Sequence, residues 1–380
     1  VITVAGTNGK GSSVALLSGI LQQAGYRIGA YTSPHIQRYN ERICIAGETV
    51  SDADLCAVFA QIEQARDDTS LTYFEFSTLA AIYWFSQHAL DIAILEVGLG
   101  GRLDSVNIID ADIALITGIA LDHTDWLGDD LEKIGAEKAG ILRAGHPAVY
   151  ASPDRPQSIT NTAQALGAPL LCLGEAYTYE QQAESWHWLG QQRVRRSLPL
   201  PAMRGAIQLQ NAAGVLQVIE CLQGNYPVDQ QAIRQGLLSV QLAGRLQVVQ
   251  RRARWLLDVA HNPQAVALLA RQLADMFVAG RVLAIVGVLQ DKLNDQLFEP
   301  LRQYVDQWFV LDLAQEPRGA SATEVTAVLQ QVVDTPLQTG HSGGKALCQQ
   351  VDELSSEQDL VIVFGSFVSV AVVSDWLTGC

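Results

Sequence analysis

A glycine-rich loop between a strand and a helix limits the fold of this chain more than any other feature of its sequence. Residues 1–5 are mostly β-branched or apolar, which predicts a strand, and residues 13–24 carry apolar side chains at helical spacing. The loop between them contains the run Gly-Thr-Asn-Gly-Lys-Gly-Ser. Glycines let main-chain amides turn toward an anion, and the amino end of a helix adds partial positive charge. We therefore predict a phosphate-binding loop in which Lys10 contacts the terminal phosphates of a nucleotide.

This loop departs from the general Walker pattern at two positions. The pattern would place a glycine where the chain has Val4, and a magnesium-binding serine or threonine where it has Gly11. A magnesium ion held here must therefore find its hydroxyl ligand elsewhere, and Ser12 and Ser33 are the candidates. A tight turn with a surface lysine is the alternative to a phosphate loop, and the strand–loop–helix context disfavours it.

Apolar strands alternate with helices along the chain, which predicts an α/β fold with parallel sheets covered on both faces. Residues 1–243 are expected to form a P-loop domain, and residues 246–380 a smaller Rossmann-like α/β domain after a Gly244-Arg245 linker. Residues 151–201 show no clear helical periodicity, so we predict strands and turns at the edge of the first domain.

Two polar residues follow apolar strands at one edge of the first predicted sheet. Glu96 ends one such strand, and His123 comes after the next. Open α/β sheets bind ligands at the carboxyl ends of their strands, and magnesium prefers oxygen ligands. Glu96 could instead cap a helix or form a salt bridge, and a lone histidine is usually a neutral loop residue. The neighbouring Asp122 and Asp125 add weight to a metal site, and the alternatives stay open on these residues alone.

The net charge of −15 argues against binding to nucleic acid or to an anionic membrane. None of the six cysteines forms a C-x-x-C pair or has zinc-ligand spacing, so free thiols in a reducing cytosol are expected. The sequence contains no apolar segment long enough to span a membrane and no visible signal peptide. Because the chain starts at Val1 within a predicted strand, we expect further sequence upstream.

Several motifs together resemble the Mur ligase superfamily, and within it the bifunctional dihydrofolate synthase/folylpolyglutamate synthase family. Besides the glycine-rich run, they are Thr32-Ser-Pro-His35, Leu95-Glu-Val-Gly-Leu-Gly-Gly-Arg-Leu-Asp104, Leu121-Asp-His-Thr-Asp-Trp126, Glu137-Lys-Ala-Gly-Ile141 and Asp258-Val-Ala-His-Asn-Pro263. Each motif alone is weak, but in combination and order they cover almost the whole chain. The resemblance implies a P-loop parallel-sheet ATPase domain followed by a glutamate-ligase domain.

The resemblance also implies a function in folate biosynthesis and one-carbon metabolism. A monomeric cytoplasmic ligase would use ATP and two magnesium ions to join L-glutamate to dihydropteroate, or to the γ-carboxylate of a reduced folate. An acyl phosphate is the expected intermediate, because a free carboxylate is a poor electrophile. The alternatives are a Mur-type ligase that acts on a muropeptide, and an ATP-binding paralogue without turnover.

Roles for individual residues follow from the same resemblance. The implied metal ligands are Ser33, Glu96 and His123. The implied catalytic residues are Lys10, His123, Lys138 in carbamylated form, and His261. The residues expected to contact ATP are Thr7, Asn8, Gly9, Lys10, Gly11, Ser12, Asn211, Arg245 and Asp258. The residues expected to contact the pterin substrate are Thr72, Tyr73, Phe74, Glu75, Leu103, Asp104 and Ser105.

Two of these assignments depend on the resemblance alone. By composition, Lys138 would be an ordinary helical lysine, and residues 71–76 would be the start of a strand or helix packed into the core. The chain departs from the family pattern at Ser105-Val106, Gln290 and Val368. We expect these departures to tune contacts and to leave the chemistry intact.

Overall fold

The computed structural model describes residues 1–339 and 343–379, and the chain divides into two compact units. The first contains Val1–Ala202 and Ala206–Gln241, and the second contains Met203–Gly205 and Leu242–Cys380. Each unit is built on a mostly parallel sheet whose strands alternate with helices along the chain. The predicted α/β class is therefore confirmed.

The first unit contains eleven of the described strands and eight of the described α-helices. The strands are β1 (Ile2–Ala5), β2 (Ile28–Tyr31), β3 (Ile43–Ile45), β4 (Glu48–Thr49), β5 (Ile92–Glu96), β6 (Ile113–Ile116), β7 (Ala148–Tyr150), β8 (Leu170–Cys172), β9 (Tyr177–Gln181), β10 (Ser185–Gly190) and β11 (Val194–Pro199). The helices are α1 (Lys10–Gln23), α2 (Asp52–Arg66), α3 (Tyr73–Ser86), α4 (Thr124–Leu127), α5 (Leu131–Ala139), α6 (Gln157–Leu166), α7 (Ala206–Leu222) and α8 (Gln230–Ser239).

The main sheet of this unit has the strand order β4-β3-β2-β5-β1-β6-β7-β8, and β9 to β11 form a separate antiparallel sheet. The six strands from β2 to β8 in this order are parallel, and the apolar residues of β1 and β6 are buried. Because parallel strands share one carboxyl edge, the segments that follow β1, β2, β5 and β6 leave the sheet on the same side.

Three boundaries in the first unit differ from the sequence prediction. Helix α1 begins at Lys10, because Gly9 already serves as its N-cap, so the last three residues of the predicted loop are helical. The apolar spacing predicts a helix over residues 76–87, whereas helix α3 already begins at Tyr73, since Thr72 caps it. Helix α6 lies in a region predicted to hold only strands and turns; its sequence is mainly polar, and only Ile159 and Ala163 are buried.

The second unit is smaller and contains one sheet. Its strands are β12 (Gln247–Gln250), β13 (Arg254–Leu257), β14 (Val282–Val286), β15 (Gln307–Val310), β16 (Leu337–Thr339) and β17 (Leu360–Phe364), and its helices are α9 (Pro263–Ala274), α10 (Ala322–Val332), α11 (Gly344–Leu354) and α12 (Phe367–Thr378). The strand order is β12-β13-β17-β14-β15-β16, with β12 antiparallel to its neighbour. Strands β14 and β17 are buried along their whole length, which explains why they read as continuous apolar runs.

Two further findings concern membrane-spanning helices and the state of the cysteines. Within residues 1–339 and 343–379, no helix is both long and apolar enough to cross a membrane. The five described cysteines are free thiols, and Cys380 lies outside the described residues.

Candidate active site

The predicted phosphate loop connects β1 to the amino end of α1. Gly9 is the N-cap residue of this 14-residue helix and has a φ of +89°. The first turn of the helix, Lys10-Gly-Ser-Ser13, carries no acid in the sequence, so the positive helix end is well suited to an anion. Nζ of Lys10 donates to the carbonyl oxygens of Gly6 and Thr7, each at 3.1 Å, and its ammonium group therefore lies at the loop.

Thr117, directly after β6, helps to hold this loop in place. Its hydroxyl donates to the carbonyl of Asn8 at 2.7 Å. The hydroxyl of Thr7 accepts from the amide of Ala120 at 3.0 Å and donates to its carbonyl at 3.2 Å. A Cβ atom on Gly6 would lie 1.9 Å from the Thr117 hydroxyl oxygen, so a side chain does not fit there. Thr117 is absent from the predicted site, although a hydroxyl residue at the end of an apolar strand is a usable signal.

Glu96 and Ser33 lie at the same edge of the sheet as the loop. Glu96 is the last residue of β5, is paired with Val4 in the parallel register, and is only 3% exposed. Ser33 follows β2, on the other side of β5, and its amide donates to Oε2 of Glu96 at 3.2 Å. Two of the three predicted metal ligands are therefore in direct contact. The hydroxyl of Ser12, the other candidate, is buried and forms no hydrogen bond within the described part of the chain.

His123, the third predicted ligand, is the N-cap residue of α4 and has a left-handed backbone with a φ of +52°. Non-glycine residues at positive φ cost conformational energy and cluster at functional sites. Its amide donates to Oδ1 of Asp122 at 2.8 Å, and its Nε2 lies 3.9 Å from Oδ2 of the same carboxylate. Among the described residues, no group of three or more His, Cys, Asp or Glu side chains could hold a metal ion. A metal bound by Glu96 and His123 would need hydroxyl, water or phosphate oxygens as well.

Lys138, in the last turn of α5, reaches the same loop carbonyl as Lys10. It is 4% exposed, and its Nζ donates to the carbonyl oxygen of Gly6 at 2.9 Å. Burial and the nearby Lys10 ammonium lower the pKa of Lys138 to about 7, although Asp122 and Asp104 act in the opposite direction. Near neutral pH a large fraction of this amine is therefore uncharged and nucleophilic.

The predicted substrate segment 72–75 forms the beginning of α3. Thr72 and Glu75 form a capping box, in which the Glu75 carboxylate accepts from the Thr72 amide at 2.7 Å. That hydrogen bond lowers the pKa of Glu75, so its carboxylate already has a structural role. Tyr73 is 63% exposed, whereas Phe74 packs against the turn after β5, where a Cβ on Gly98 would lie 2.5 Å from its ring. Within this segment the Tyr73 ring is the group most open to a ligand.

Asp104 organises the turn between β5 and the second predicted substrate stretch. Its carboxylate accepts at 2.9–3.0 Å from three main-chain amides, those of Gly98, Leu99 and Val106. Burial raises the pKa of Asp104, and these three hydrogen bonds only partly offset that effect. Leu103 is exposed, and the hydroxyl of Ser105 lies 2.8 Å from that of Thr78 in α3. The structure therefore brings the two predicted substrate stretches together.

Asn211, a predicted ATP contact, lies in α7 and packs against the phosphate loop. It is 2% exposed, and its side-chain amide donates to Oε1 of Gln208 at 3.1 Å. A Cβ atom on Gly9 would lie 2.6 Å from Oδ1 of Asn211. The close approach places the Asn211 amide beside the residue that begins α1.

In the second unit, the predicted residues Arg245, Asp258 and His261 share one neighbourhood. The carboxylate of Asp258 accepts from two main-chain amides at 2.9 Å each. Burial raises the pKa of Asp258, and the charge of Arg245 opposes that shift. The ring of Phe367 lies 5.3 Å from Cζ of Arg245 and 6.0 Å from the imidazole of His261. Phe367 has no predicted role, yet it contacts two of the three residues.

Comparison with known proteins gives matches along almost the whole chain. The family models described as "Mur ligase middle domain" and "Mur ligase, glutamate ligase domain" match residues 4–188 and 244–367. The dihydrofolate synthase/folylpolyglutamate synthase of Escherichia coli K12 is 42% identical over 99% of this chain and 86% of its own length.

Solved structures give the same picture. Escherichia coli FolC in complex with DHPP and ADP matches with a TM-score of 0.93 and 41% identity, covering 100% of this chain and 88% of that one. A bifunctional folylpolyglutamate synthase/dihydrofolate synthase with Mn, AMPPNP and L-glutamate bound matches with a TM-score of 0.91 and 46% identity, covering 99% and 89%.

Proposed function

Because the chain belongs to the dihydrofolate synthase/folylpolyglutamate synthase family of Mur ligases, we propose that it is an ATP-dependent ligase that joins L-glutamate to dihydropteroate. It also adds L-glutamate to the γ-carboxylate of reduced folates. The observation that carries the proposal is the 42% identity over 99% of the chain. The phosphate loop supports it, since Lys10 and Lys138 both donate to the carbonyl of Gly6 there.

The reaction requires activation of a carboxylate, because the free anion resists attack by an amine. The terminal phosphoryl group of ATP is transferred to a carboxylate oxygen of the acceptor, and ADP leaves. The glutamate amine then attacks the acyl carbon and loses a proton, and phosphate leaves from the tetrahedral intermediate. Catalysis of this kind depends on positioning and charge neutralisation. In our proposal the amides of the loop bind phosphoryl oxygens, and Lys10 adds positive charge beside them.

Two divalent cations, magnesium in our proposal, would be held by Ser33, Glu96 and His123. The buried Glu96 carboxylate and the buried Ser12 hydroxyl, which has no hydrogen-bond partner among the described residues, suit an ion that prefers oxygen ligands. When bound, the cations would neutralise negative charge on the phosphoryl oxygens. Manganese in the solved relative supports a divalent metal.

Lys138 is proposed to be carbamylated. An uncharged amine can attack carbon dioxide, forming an N–C bond and releasing one proton. The lowered pKa of Lys138 and its burial beside Lys10 support this reaction, because the anionic product removes the repulsion between two ammonium groups.

The remaining residue roles are also part of the proposal. Dihydropteroate would contact residues 72–75 and 103–105, and DHPP in the FolC structure supports a pterin-type acceptor. ATP binding is assigned to residues 1–243 and the glutamate-ligase role to residues 246–380. The assignment of Asn211 to ATP is supported by its packing against Gly9. ATP contact by Arg245 and Asp258, and catalysis by His261, stay predictions.

A substrate screen tests this function. Phosphate release from ATP with magnesium and L-glutamate should require dihydropteroate or a reduced folate, and a UDP-muramyl acceptor should not replace them. Glu96→Gln should abolish release while leaving the unfolding midpoint close to that of the parent. Release driven by the muramyl acceptor would show a Mur-type ligase instead, and no release with any acceptor would show a paralogue without turnover.

A further inference from the structure

Arg42 is a buried cation near the predicted substrate segment. It ends the short 3₁₀ helix Tyr39–Arg42, immediately before β3, and it is only 6% exposed. Its Nε donates to Nδ1 of His35 at 2.9 Å. Because arginine has no acceptor, this bond requires Nδ1 of His35 to be unprotonated. His35 therefore provides a hydrogen-bond acceptor but no negative charge.

The surroundings of Arg42 leave its charge uncompensated. Arg42 forms no ion pair with any residue in the ranges 1–339 and 343–379, and its Nη atoms donate no hydrogen bond to those residues. The nearest acid in sequence, Glu41, accepts instead from three main-chain amides, those of Ile36, Gln37 and Arg38. A buried charge without a partner is costly, and removing water from a guanidinium group requires some compensation.

Two aromatic rings provide part of that compensation. Cζ of Arg42 lies 5.4 Å from the ring centroid of Tyr39 and 5.4 Å from that of Tyr73. The two tyrosine rings are 6.0 Å apart and nearly perpendicular. Cation–π contacts with tyrosine are weaker than a charged hydrogen bond, so they do not replace an anion. The resulting site has a cationic centre and aromatic walls.

Main-chain hydrogen bonds connect the surroundings of Arg42 to the candidate active site. The carbonyl of Arg42 accepts from the amide of Thr32 at 2.9 Å, and the next residue, Ser33, bonds to Glu96. On the other side, Tyr73 is part of the segment assigned to the acceptor substrate. Arg42 therefore lies between a predicted metal ligand and a predicted substrate contact.

We propose that Arg42 binds a carboxylate of the pteroate-type acceptor, with Tyr39 and Tyr73 packed around the same group. The inference rests on the proposed function, since it takes the acceptor from there. Two carboxylates have the required chemistry: the aryl carboxylate of dihydropteroate, which is the group that reacts, and the α-carboxylate of a glutamyl folate. Arginine suits either one, because its planar donors match the two oxygens of a carboxylate.

Arg42→Gln and Arg42→Lys test the inference, with Arg38→Gln as the matched control. Arg38 lies four residues away, and its exposed guanidinium pairs with Asp52. KM is measured for dihydropteroate, a monoglutamyl folate, L-glutamate and ATP, and the unfolding midpoint of each variant is recorded. Arg42→Gln should raise the KM for an acceptor at least about 10-fold, as expected for loss of a charged hydrogen bond. Arg42→Lys should give a smaller rise, and Arg38→Gln none.

The two acceptors distinguish the two carboxylates. If Arg42 binds the reacting group, KM rises for both acceptors. If it binds the α-carboxylate, KM rises only for the folate. An analogue of the folate that carries an α-carboxamide in place of the α-carboxylate gives a second check: the parent should have a lower KM for the folate than for this analogue, and Arg42→Gln should have similar KM values for both. Unchanged acceptor KM values in both variants, or a rise confined to L-glutamate or ATP, would overturn the inference.

Equilibrium binding of dihydropteroate and of the monoglutamyl folate separates this inference from the proposed function. If the parent chain binds these acceptors but does not turn over, the proposed ligase function is wrong, and weaker binding of either acceptor by Arg42→Lys still supports the role of Arg42. Equal binding of both acceptors by the parent and both variants would refute that role. Should Arg42→Gln fail to fold, Arg42→Lys carries the same comparison, because it keeps the charge and loses the planar donor pair.

Discussion

The substitution Gly9→Ala tests the geometry of the phosphate loop, because the chain contains a closely matched control. Gly9 and Gly25 stand at opposite ends of α1, with φ values of +89° and +91°. A Cβ atom on Gly9 would lie 2.6 Å from Oδ1 of Asn211, whereas one on Gly25 would have nothing described within 4 Å. The two substitutions therefore share the backbone strain and differ in the steric contact.

The expected cost follows from these two effects. An alanine held at positive φ costs about 1–2 kcal/mol, and this applies to both variants. Asn211 is buried and its amide is bonded to Gln208, so it cannot move away from a new methyl group without losing that bond. Forcing an extra carbon into such a packed position costs about 1–3 kcal/mol more. Gly9→Ala should therefore destabilise the first unit by about 2–5 kcal/mol, and Gly25→Ala by about 1–2 kcal/mol.

Urea unfolding of both variants and the parent measures this difference from the midpoint of the transition that unfolds the first unit. The KM for ATP is measured alongside. Gly9→Ala should raise that KM, because the new methyl group displaces the start of α1, while Gly25→Ala should leave it unchanged. Equal midpoints for the two variants, together with an unchanged KM for ATP in Gly9→Ala, would refute the reasoning.

The other predictions concern two ionisable groups, the buried Lys138 and the partly buried Asp104. The pKa of Lys138 is about 7 in the folded chain against an ordinary 10.5, so the unfolded state binds more protons between these values. Stability should therefore rise with pH across that interval, by up to about 1.4 kcal/mol per unit, in CO₂-free urea titrations of the parent. In Lys138→Met this rise of stability with pH should be absent. Equal slopes of stability against pH in the parent and in Lys138→Met would contradict the lowered pKa of Lys138. Asp104→Ala should lower stability by about 2 kcal/mol or more, since three amides lose their acceptor. It should also slow dihydropteroate ligation more than chain extension in parallel assays; an equal loss of both activities would count against the assignment of Asp104 to the pterin.

Much of the fold could be predicted because the relevant signals are local. The apolar runs of β1, β5 and β6 indicate buried parallel strands, and the glycine-rich run at the end of β1 indicates an anion-binding turn. Helix α6 escaped prediction because its ten residues are mainly polar and only two of its side chains are buried. The start of α3 at Tyr73 depends on the capping box of Thr72 and Glu75. This signal is local, but the aromatic residues beside it are equally compatible with a strand.

By itself the sequence determined which residues stand at strand ends and loop glycines, and the motifs that place the chain in its ligase family. Only the tertiary structure decided that Lys138 is buried against the carbonyl of Gly6, that Thr117 hydrogen-bonds to the phosphate loop, and that Arg42 lacks a carboxylate partner among the described residues. The physical reason is that burial and hydrogen bonding join residues far apart in the chain. The properties that follow from them, a lowered pKa or an uncompensated charge, belong to the packed environment and not to the local order of residues.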